Sequence, residues 1–120
     1  MAKALDRAAL AAILARKDDG TIRAALASYH PYDLARLLAD LPPEQQMAAL
    51  AALEPRRAGQ AFGYLEAADQ LALARRMPRE ALGRLFAGME PDERADLFKA
   101  LPEEAREAVL PGLAAAERED

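Results

Sequence analysis

Residues 41–55 read LPPEQQMAALAALEP, and this stretch contains one full unit of the pattern that decides the fold. Leu41 precedes a proline-containing turn, a run of about eight residues at helical spacing follows, and Leu53 precedes the next such turn. Proline suits the first turn of a helix because its missing N–H has no partner there, and an acid such as Glu44 favours the positive end of the helix dipole. The stretch therefore predicts one short helix between two turns.

The same unit recurs at every twelfth position along the chain without an insertion. Turn signals keep this step, at Leu53-Glu54-Pro55, Met77-Pro78, Met89-Glu90-Pro91-Asp92 and Leu101-Pro102-Glu103-Glu104. Three series at the same step are apolar: Tyr29, Leu41, Leu53, Leu65, Met77, Met89, Leu101 and Leu113; Leu14, Leu26, Leu38, Leu50, Phe62, Ala74, Phe86, Phe98 and Leu110; and Ile13, Ala25, Leu37, Ala49, Ala61, Leu73, Leu85, Leu97 and Val109. We expect these series to form the core.

Helices of this length are marginal in isolation because nucleating a helix is unfavourable, so each must bury its apolar stripe against its neighbours. Repeats too small to bury their own faces stack into superhelical arrays. We therefore predict an all-α fold, a superhelical, solenoid-like stack of about nine or ten short helices with a 12-residue period. At 120 residues, the chain has the usual size of one domain, and we expect residues 1–120 to form a single unit.

The two ends of the chain are also predicted to be helical. Asp6 and Arg7 interrupt the apolar start, so residues 1–16 are typical of an amphipathic helix and not of a signal peptide. The loop at residues 17–20 should end this helix at Gly20, and Thr21 should cap the next one. Residues 114–120 should extend the last helix. No apolar run is long enough to insert these residues directly into a membrane.

Composition and motifs argue against catalysis and nucleic-acid binding. The chain has no cysteine, one histidine, and no phosphate-binding loop, metalloprotease motif or nucleophile elbow. His30 precedes a proline at a helix entry, where an imidazole packs or caps. The arginines have no accompanying aromatic residues for base stacking, so a solvated or protein-binding face is the favoured interpretation. We expect a cytosolic protein that is not an enzyme.

The best candidate site is the stretch from Met89 to Leu97, in the most acidic part of the chain. Net charge is −4 overall, but residues 90–120 hold ten acids against four bases. Asp92 and Asp96 are four residues apart and so share one face of a helix, with Glu93 beside them. Mg²⁺ prefers oxygen ligands and keeps several waters, so one or two carboxylates suffice to hold it weakly. A solvated acidic helix start explains the same spacing without a metal.

The sequence resembles the N-terminal domain of the MgtE family of magnesium transporters. Three kinds of stretch carry the resemblance: residues 30–38 (HPYDLARLL), the Leu-Pro-Pro-Glu and Glu-Pro helix starts, and residues 89–97 (MEPDERADL), which are similar to an Asp-Pro-Asp-Asp-x-Ala-Asp segment of that family. The similarity covers roughly residues 5–115. Helical domains of flagellar proteins such as FliG share the style of repeat, so a protein–protein interaction scaffold of that motility-adaptor type is the alternative function.

The resemblance implies a cytosolic regulatory domain on the cytoplasmic side of the membrane, followed by CBS domains and a transmembrane pore in a homodimeric transporter. In that family, Mg²⁺ bound between the N domain and the CBS domains favours the closed pore. By position, Asp92 and Asp96 match the family's metal-binding acids, and Glu93 is a further candidate ligand. Gln60 falls where the family usually has Glu, which removes one charge. Mg²⁺ binding by these residues alone should therefore be weak.

Overall fold

The computed structural model describes residues 6–119, without the side chains of Arg7, Ala105 and residues 115–119. Within residues 6–119 the chain forms nine α-helices and no strand. The helices are α1 (Arg7–Ala15), α2 (Asp19–Leu26), α3 (Pro31–Ala39), α4 (Pro43–Ala52), α5 (Pro55–Tyr64), α6 (Ala67–Arg76), α7 (Arg79–Ala87), α8 (Pro91–Ala100) and α9 (Glu103–Glu119). The all-α fold class and the number of helices are confirmed.

The helices begin at every twelfth position, from Arg7 to Glu103. Proline occupies the first helical position of α3, α4, α5 and α8, as the turn signals predict. The 12-residue period of the sequence is therefore also the spacing of the helix starts in the structure. The amphipathic first helix is confirmed from Arg7 onward, and the earlier residues of that prediction lie outside the described part of the chain. The helical tail is confirmed up to Glu119, whereas Asp120 lies outside it.

The first three helix starts are capped by side chains at the same repeat position. Asp6 accepts the N–H of Ala9 at 2.7 Å, Asp18 accepts that of Gly20 at 3.1 Å, and Nδ1 of His30 accepts that of Tyr32 at 3.1 Å. These bonds satisfy N–H groups that have no partner inside the helix. The structural role predicted for His30, packing or capping at a helix entry, is confirmed as a cap.

The cap of α2 corrects one detail of the sequence analysis. Thr21 lies in the first turn of α2, and its hydroxyl donates to Oδ2 of Asp18 at 2.8 Å. This side-chain hydrogen bond, reinforced by the Thr21 N–H, lowers the pKa of the Asp18 carboxyl below its ordinary value of 3.8. Asp18 is the capping residue of α2, one repeat unit after Asp6, which caps α1. The bend between α1 and α2 was predicted at Gly20 but lies at Lys17, whose φ is 56°.

Helices two apart in the chain pack side by side. α3 contacts α5, α5 contacts α7, and α7 contacts α9, while α2 contacts α4 and α4 contacts α6. Helices α2 to α7 thus alternate between two rows, and α9 also contacts α6. The described chain measures 38 × 26 × 23 Å along its principal axes. The apolar series fill the space between the rows, where Phe62 and Phe86 meet edge to face with ring centroids 6.0 Å apart.

Close backbone contacts fix α5, α7 and α9 against each other. A Cβ atom on Gly59 would lie 2.9 Å from the carbonyl oxygen of Leu85, and one on Gly112 would overlap Leu82. A Cβ on Gly88 would overlap the carbonyl of Pro55 and lie 2.6 Å from the backbone nitrogen of Arg56. Glycine is needed at Gly88 because the end of α7 touches the first turn of α5 directly.

A second set of side chains joins consecutive helices at one repeat position. Gln46 donates to the carbonyl of Leu38 at 2.8 Å, and Gln70 donates to that of Phe62 at 3.0 Å. Arg106 donates in the same way to the carbonyl of Phe98, at 3.1 Å. Each bond reaches back eight residues, to a carbonyl in the last turn of the preceding helix. Each of these carbonyls also accepts the backbone N–H of the residue three positions later, so the side chain supplies a second donor at the end of the helix.

One predicted core residue is not in the core. Leu110 is 50% exposed, although the equivalent residues from Leu14 to Phe86 in its series are buried. Phe98, the member before it, is only partly buried against the core. The prediction for Leu110 was wrong because burial at this position requires a later helix to cover it.

Candidate functional site

Helix α8 carries the predicted metal ligands and has fewer buried residues than any helix from α3 to α7. Only Arg94 and Leu97 are buried on α8, whereas each helix from α3 to α7 buries three or four residues. The carboxylates of Asp92, Glu93 and Asp96 are all exposed to solvent. The structure therefore places the three predicted site residues where a solute or a second protein module has access to them.

Glu93 also has a structural role. Its Oε1 accepts the backbone N–H of Glu90 at 3.3 Å and so helps to begin α8. Glu90 is also within 3.5 Å of Arg56 on α5, and both side chains of this ion pair are largely exposed. One oxygen of Glu93 is thus engaged, while Asp92 and Asp96 have no such role in the described contacts.

An open groove of about 620 Å³ lies between α5 and α8 and contains two of the three predicted residues. Glu93 and Asp96 line it from α8, Gln60 lines it from α5, and Gln70 reaches it from α6. Gln60 and Asp96 are three repeat units apart, and the structure brings both to this groove. Asp92 is not part of the lining and lies at the exposed start of α8. We call this feature the α5–α8 groove.

Aromatic side chains at the edge of this groove were not singled out by the sequence analysis. Tyr64 lines the groove, is 53% exposed, and lies 6.2 Å from the ring of His30. Tyr32 packs edge-on against Tyr64, with ring centroids 5.5 Å apart. Tyr32 and Tyr64 lie on different helices and are distant in the sequence, and only the packing of α3 on α5 brings the two rings together.

The donor set of the α5–α8 groove fits a hydrated magnesium ion in type but is incomplete in number. Carboxylate and amide oxygens are the ligands that Mg²⁺ prefers, and it readily keeps waters in the remaining positions. Within the described residues, no group of three or more histidine, cysteine, aspartate or glutamate side chains could hold a metal ion. Glu93 and Asp96 in the groove, together with Asp92 at the start of α8, would therefore hold an ion only with water or with ligands from another module.

The described part of the chain is an all-α helical-repeat domain, with Glu93 and Asp96 in an open groove on its surface. No helix in the described part of the chain has the length and apolar character that a membrane crossing requires. The family model of the MgtE intracellular N domain matches residues 29–120, and the chain belongs to that family. A search of curated proteins found no match.

The family match confirms the resemblance that the sequence analysis identified. It covers all helices from α3 to α9, and therefore the α5–α8 groove and all three candidate ligands. The match identifies an intracellular domain of an MgtE magnesium transporter, and this family is not one of enzymes. Helices α1 and α2 precede the matched region and continue the same repeat interval.

Proposed function

We propose that this chain is the magnesium-responsive regulatory domain of an MgtE-type transporter. In this proposal, Mg²⁺ binds at the exposed acids of α8 and links this domain to CBS domains of the same homodimeric transporter, which favours the closed pore. The observation that carries the proposal is the position of Glu93 and Asp96 in an open groove on the most exposed of the central helices. The family match supports the transporter context.

The mechanism follows from the charges on α8. Asp92 and Asp96 would each contribute a carboxylate to a hydrated ion, and Glu93 would act through water because one of its oxygens accepts the Glu90 N–H. An acidic surface on a second module would be repelled by these carboxylates unless a cation lies between them. The separation of the two modules would therefore depend on the free Mg²⁺ concentration, which is the coupling that regulation requires.

With Gln60, the groove should bind cations more weakly than it would with a glutamate at the same position. Its amide lines the groove with Asp96 but carries no charge. A neutral amide oxygen is a weaker ligand for Mg²⁺ than a carboxylate, since the attraction of a net negative charge is missing. We therefore expect a regulatory response centred at a higher Mg²⁺ concentration than in a variant with Glu at this position.

A Mg²⁺ titration of the 120-residue chain, followed by backbone amide NMR, tests the site directly. Shifts should be confined to residues around Asp92–Asp96 and the α5–α8 groove, with saturation only in the millimolar range. Asp96→Asn should weaken binding by roughly three- to tenfold, the order expected when one unit charge near a divalent ion is removed from an exposed site. Gln60→Glu should strengthen it by a similar factor.

Asp33→Asn is the matched control, because Asp33 is an exposed acid in the first turn of α3 and does not line the groove. It should leave the titration unchanged. Uniform shifts at all acidic residues, equally affected by Asp33→Asn and Asp96→Asn, would mean simple charge screening and would contradict a site on α8.

Regulation itself is tested in the full-length transporter. Inhibition of Mg²⁺ conduction by intracellular Mg²⁺ should require a higher concentration when Asp92→Ala and Asp96→Ala are combined. Unchanged inhibition in that double variant, together with normal expression, would exclude these residues from gating.

A further inference from the structure

The α5–α8 groove is larger than a hydrated magnesium ion requires. Its volume is about 620 Å³. A magnesium ion with six waters has a volume on the order of 200 Å³, about one third of that space. Sites for small organic molecules typically have volumes of about 300–1,000 Å³. The groove therefore has room for a ligand larger than the metal ion.

The floor of the groove is apolar. Leu65, Met89 and Leu97 line it, and each of them is at most 9% exposed. Gly63 lines it too, and a Cβ atom there would meet the Met89 methyl carbon at an ordinary contact distance of 3.7 Å. The missing side chain at Gly63 thus leaves the floor open. Apolar surface does not stabilise a hydrated ion, but it does stabilise a ligand with an apolar body.

An aromatic ring at the edge of the groove is held in place by two others. Tyr64 lines the groove, and its ring lies 6.2 Å from that of His30 and 5.5 Å from that of Tyr32. Nδ1 of His30 accepts the N–H of Tyr32, which requires that this nitrogen carry no proton. The face of an aromatic ring attracts ammonium ions within about 6 Å of its centroid. Tyr64 is therefore suited to contact an organic cation.

The charged lining of the groove is acidic. Glu93 and Asp96 line it from α8, and no arginine or lysine is among the described residues of the lining. Oε1 of Glu93 accepts the N–H of Glu90, which leaves its second oxygen and the Asp96 carboxylate for a ligand within the described contacts. A lining of this charge attracts a cation.

Amide oxygens extend the set of acceptors to other helices. Gln60 lines the groove from α5, and Gln70 lines it from α6. Gln70 is only 5% exposed, and its amide nitrogen donates to the carbonyls of Phe62 at 3.0 Å and Gly63 at 3.5 Å. The oxygen of this amide is therefore the atom that it can offer to a ligand. Acceptors thus line the groove from α8 and also from α5 and α6.

We infer that the α5–α8 groove binds a linear aliphatic diamine or polyamine. One ammonium group donates to Glu93 and Asp96, and a second donates to the amide oxygens on α5 and α6. The methylene chain between them packs on the apolar floor beside Tyr64. A single lysine side chain from a partner protein would fill only part of this volume, so the ligand is a free small molecule. The inference depends on the groove and not on magnesium regulation, although both cations would use the same carboxylates.

An NMR titration of the 120-residue chain with 1,5-diaminopentane at constant ionic strength tests the inference. Saturable shifts should appear at residues that line the groove, including Tyr64 and Asp96. 1,3-Diaminopropane carries the same two charges on a chain shorter by two methylene groups. It should bind about fivefold more weakly, because less apolar surface leaves water.

Substitutions at Tyr64 and Asp96 separate the contributions of the ring and the charge. Tyr64→Leu removes the ring but keeps an apolar side chain, and it should weaken 1,5-diaminopentane binding about fivefold, whereas Tyr64→Phe should retain it. Tyr64 is 53% exposed, so both variants should keep the melting temperature of the unsubstituted protein. Asp96→Asn should weaken binding by roughly three- to tenfold. Asp33→Asn, outside the groove, should leave it unchanged.

Three results would overturn the inference. Equal affinity for the two diamines would show that the groove recognises charge alone. Unchanged binding in Tyr64→Leu, or an equal loss in Tyr64→Phe, would exclude contact with the ring. Binding of N-acetyl-lysine methylamide as tight as that of 1,5-diaminopentane would mean that a lysine side chain of a partner is the occupant.

Failure of this inference and failure of the proposed function are distinguishable. A normal Mg²⁺ titration without diamine binding contradicts only the inference drawn here. Diamine binding at the groove without a localised response to Mg²⁺ contradicts only the proposed regulatory function.

Discussion

At the residue scale, the packing of this domain depends on a few positions where a side chain would collide with backbone. Gly88 ends α7 against the first turn of α5, and Gly59 and Gly112 allow similar approaches within the same row. Backbone atoms cannot move aside as a flexible side chain can, so an added methyl group must separate whole helices. These glycines therefore determine the distance between α5, α7 and α9.

Gly88→Ala should lower the free energy of unfolding by about 2 kcal/mol, because the new Cβ would overlap the Pro55 carbonyl. The control is Gly63→Ala, where the nearest atom to the new Cβ is the Met89 methyl carbon at 3.7 Å. Gly63 lies near the end of α5, and alanine there should be neutral or stabilising by about 0.5 kcal/mol. Urea unfolding of both variants provides the comparison, and equal stability of the two would contradict the close approach.

At the element scale, a recurring hydrogen bond from a side chain of one helix to a carbonyl of the preceding helix supports the 12-residue spacing of the helices. Gln46, Gln70 and Arg106 occupy one repeat position and each donates to a carbonyl eight residues earlier. The sequence alone did not reveal this role, because glutamine and arginine at that position do not stand out from the surrounding polar residues. The common partner appears only when the turn between two helices is seen in three dimensions.

Gln70→Met should reduce stability by about 1–2 kcal/mol, since it leaves the Phe62 carbonyl without this donor while nearly preserving side-chain volume. Gln45→Met is the control: Oε1 of Gln45 is buried and accepts no hydrogen bond within the described residues, so its removal should be neutral or stabilising. Thermal unfolding should separate the two variants, and a comparable loss in both would assign the effect to packing alone.

Helix starts were predictable because each is marked by local chemistry. Proline, an acid or another capping residue precedes or begins a helix at every twelfth residue, and local signals of this kind do not depend on distant contacts. The α5–α8 groove was predictable only in part. Gln60 and Asp96 occupy the same repeat position, which the sequence alone shows, but their place in one groove and the position of Tyr64 beside His30 depend on tertiary packing. The exposure of Leu110 was unpredictable for the same reason, because the periodic pattern of apolar residues does not show whether another helix packs over a given position.

At the scale of the whole molecule, stability should depend on pH through Asp69, in the first turn of α6. Burial, followed by the nearby charges of Glu66 and Asp40, raises the pKa of this carboxyl above its ordinary value of 3.8. The folded protein therefore holds this proton at pH values where the unfolded chain has lost it. The contribution of Asp69 to stability declines as the pH rises from 3.8 through the raised pKa.

Asp69→Asn should remove this decline. At neutral pH the variant should be more stable than the unsubstituted protein, by less than about 1 kcal/mol because the site is still partly solvated. The difference should disappear below the ordinary pKa of 3.8, where the carboxyl is protonated in both states. Urea unfolding of both proteins from below pH 3.8 to neutral pH measures this difference in the free energy of unfolding. If the free energies of the two proteins changed with pH in parallel, Asp69 would have an ordinary pKa.

The alternation of α2 to α7 between two rows restricts how such a domain can change its length. Each of these helices packs on the helix two positions before or after it in the chain. An extra unit inserted between α5 and α7 would separate the two helices that meet at Gly59 and Gly88, so it should be poorly tolerated. A unit added outside this pair would leave those backbone contacts intact, so the middle of the domain should be its least variable part in length.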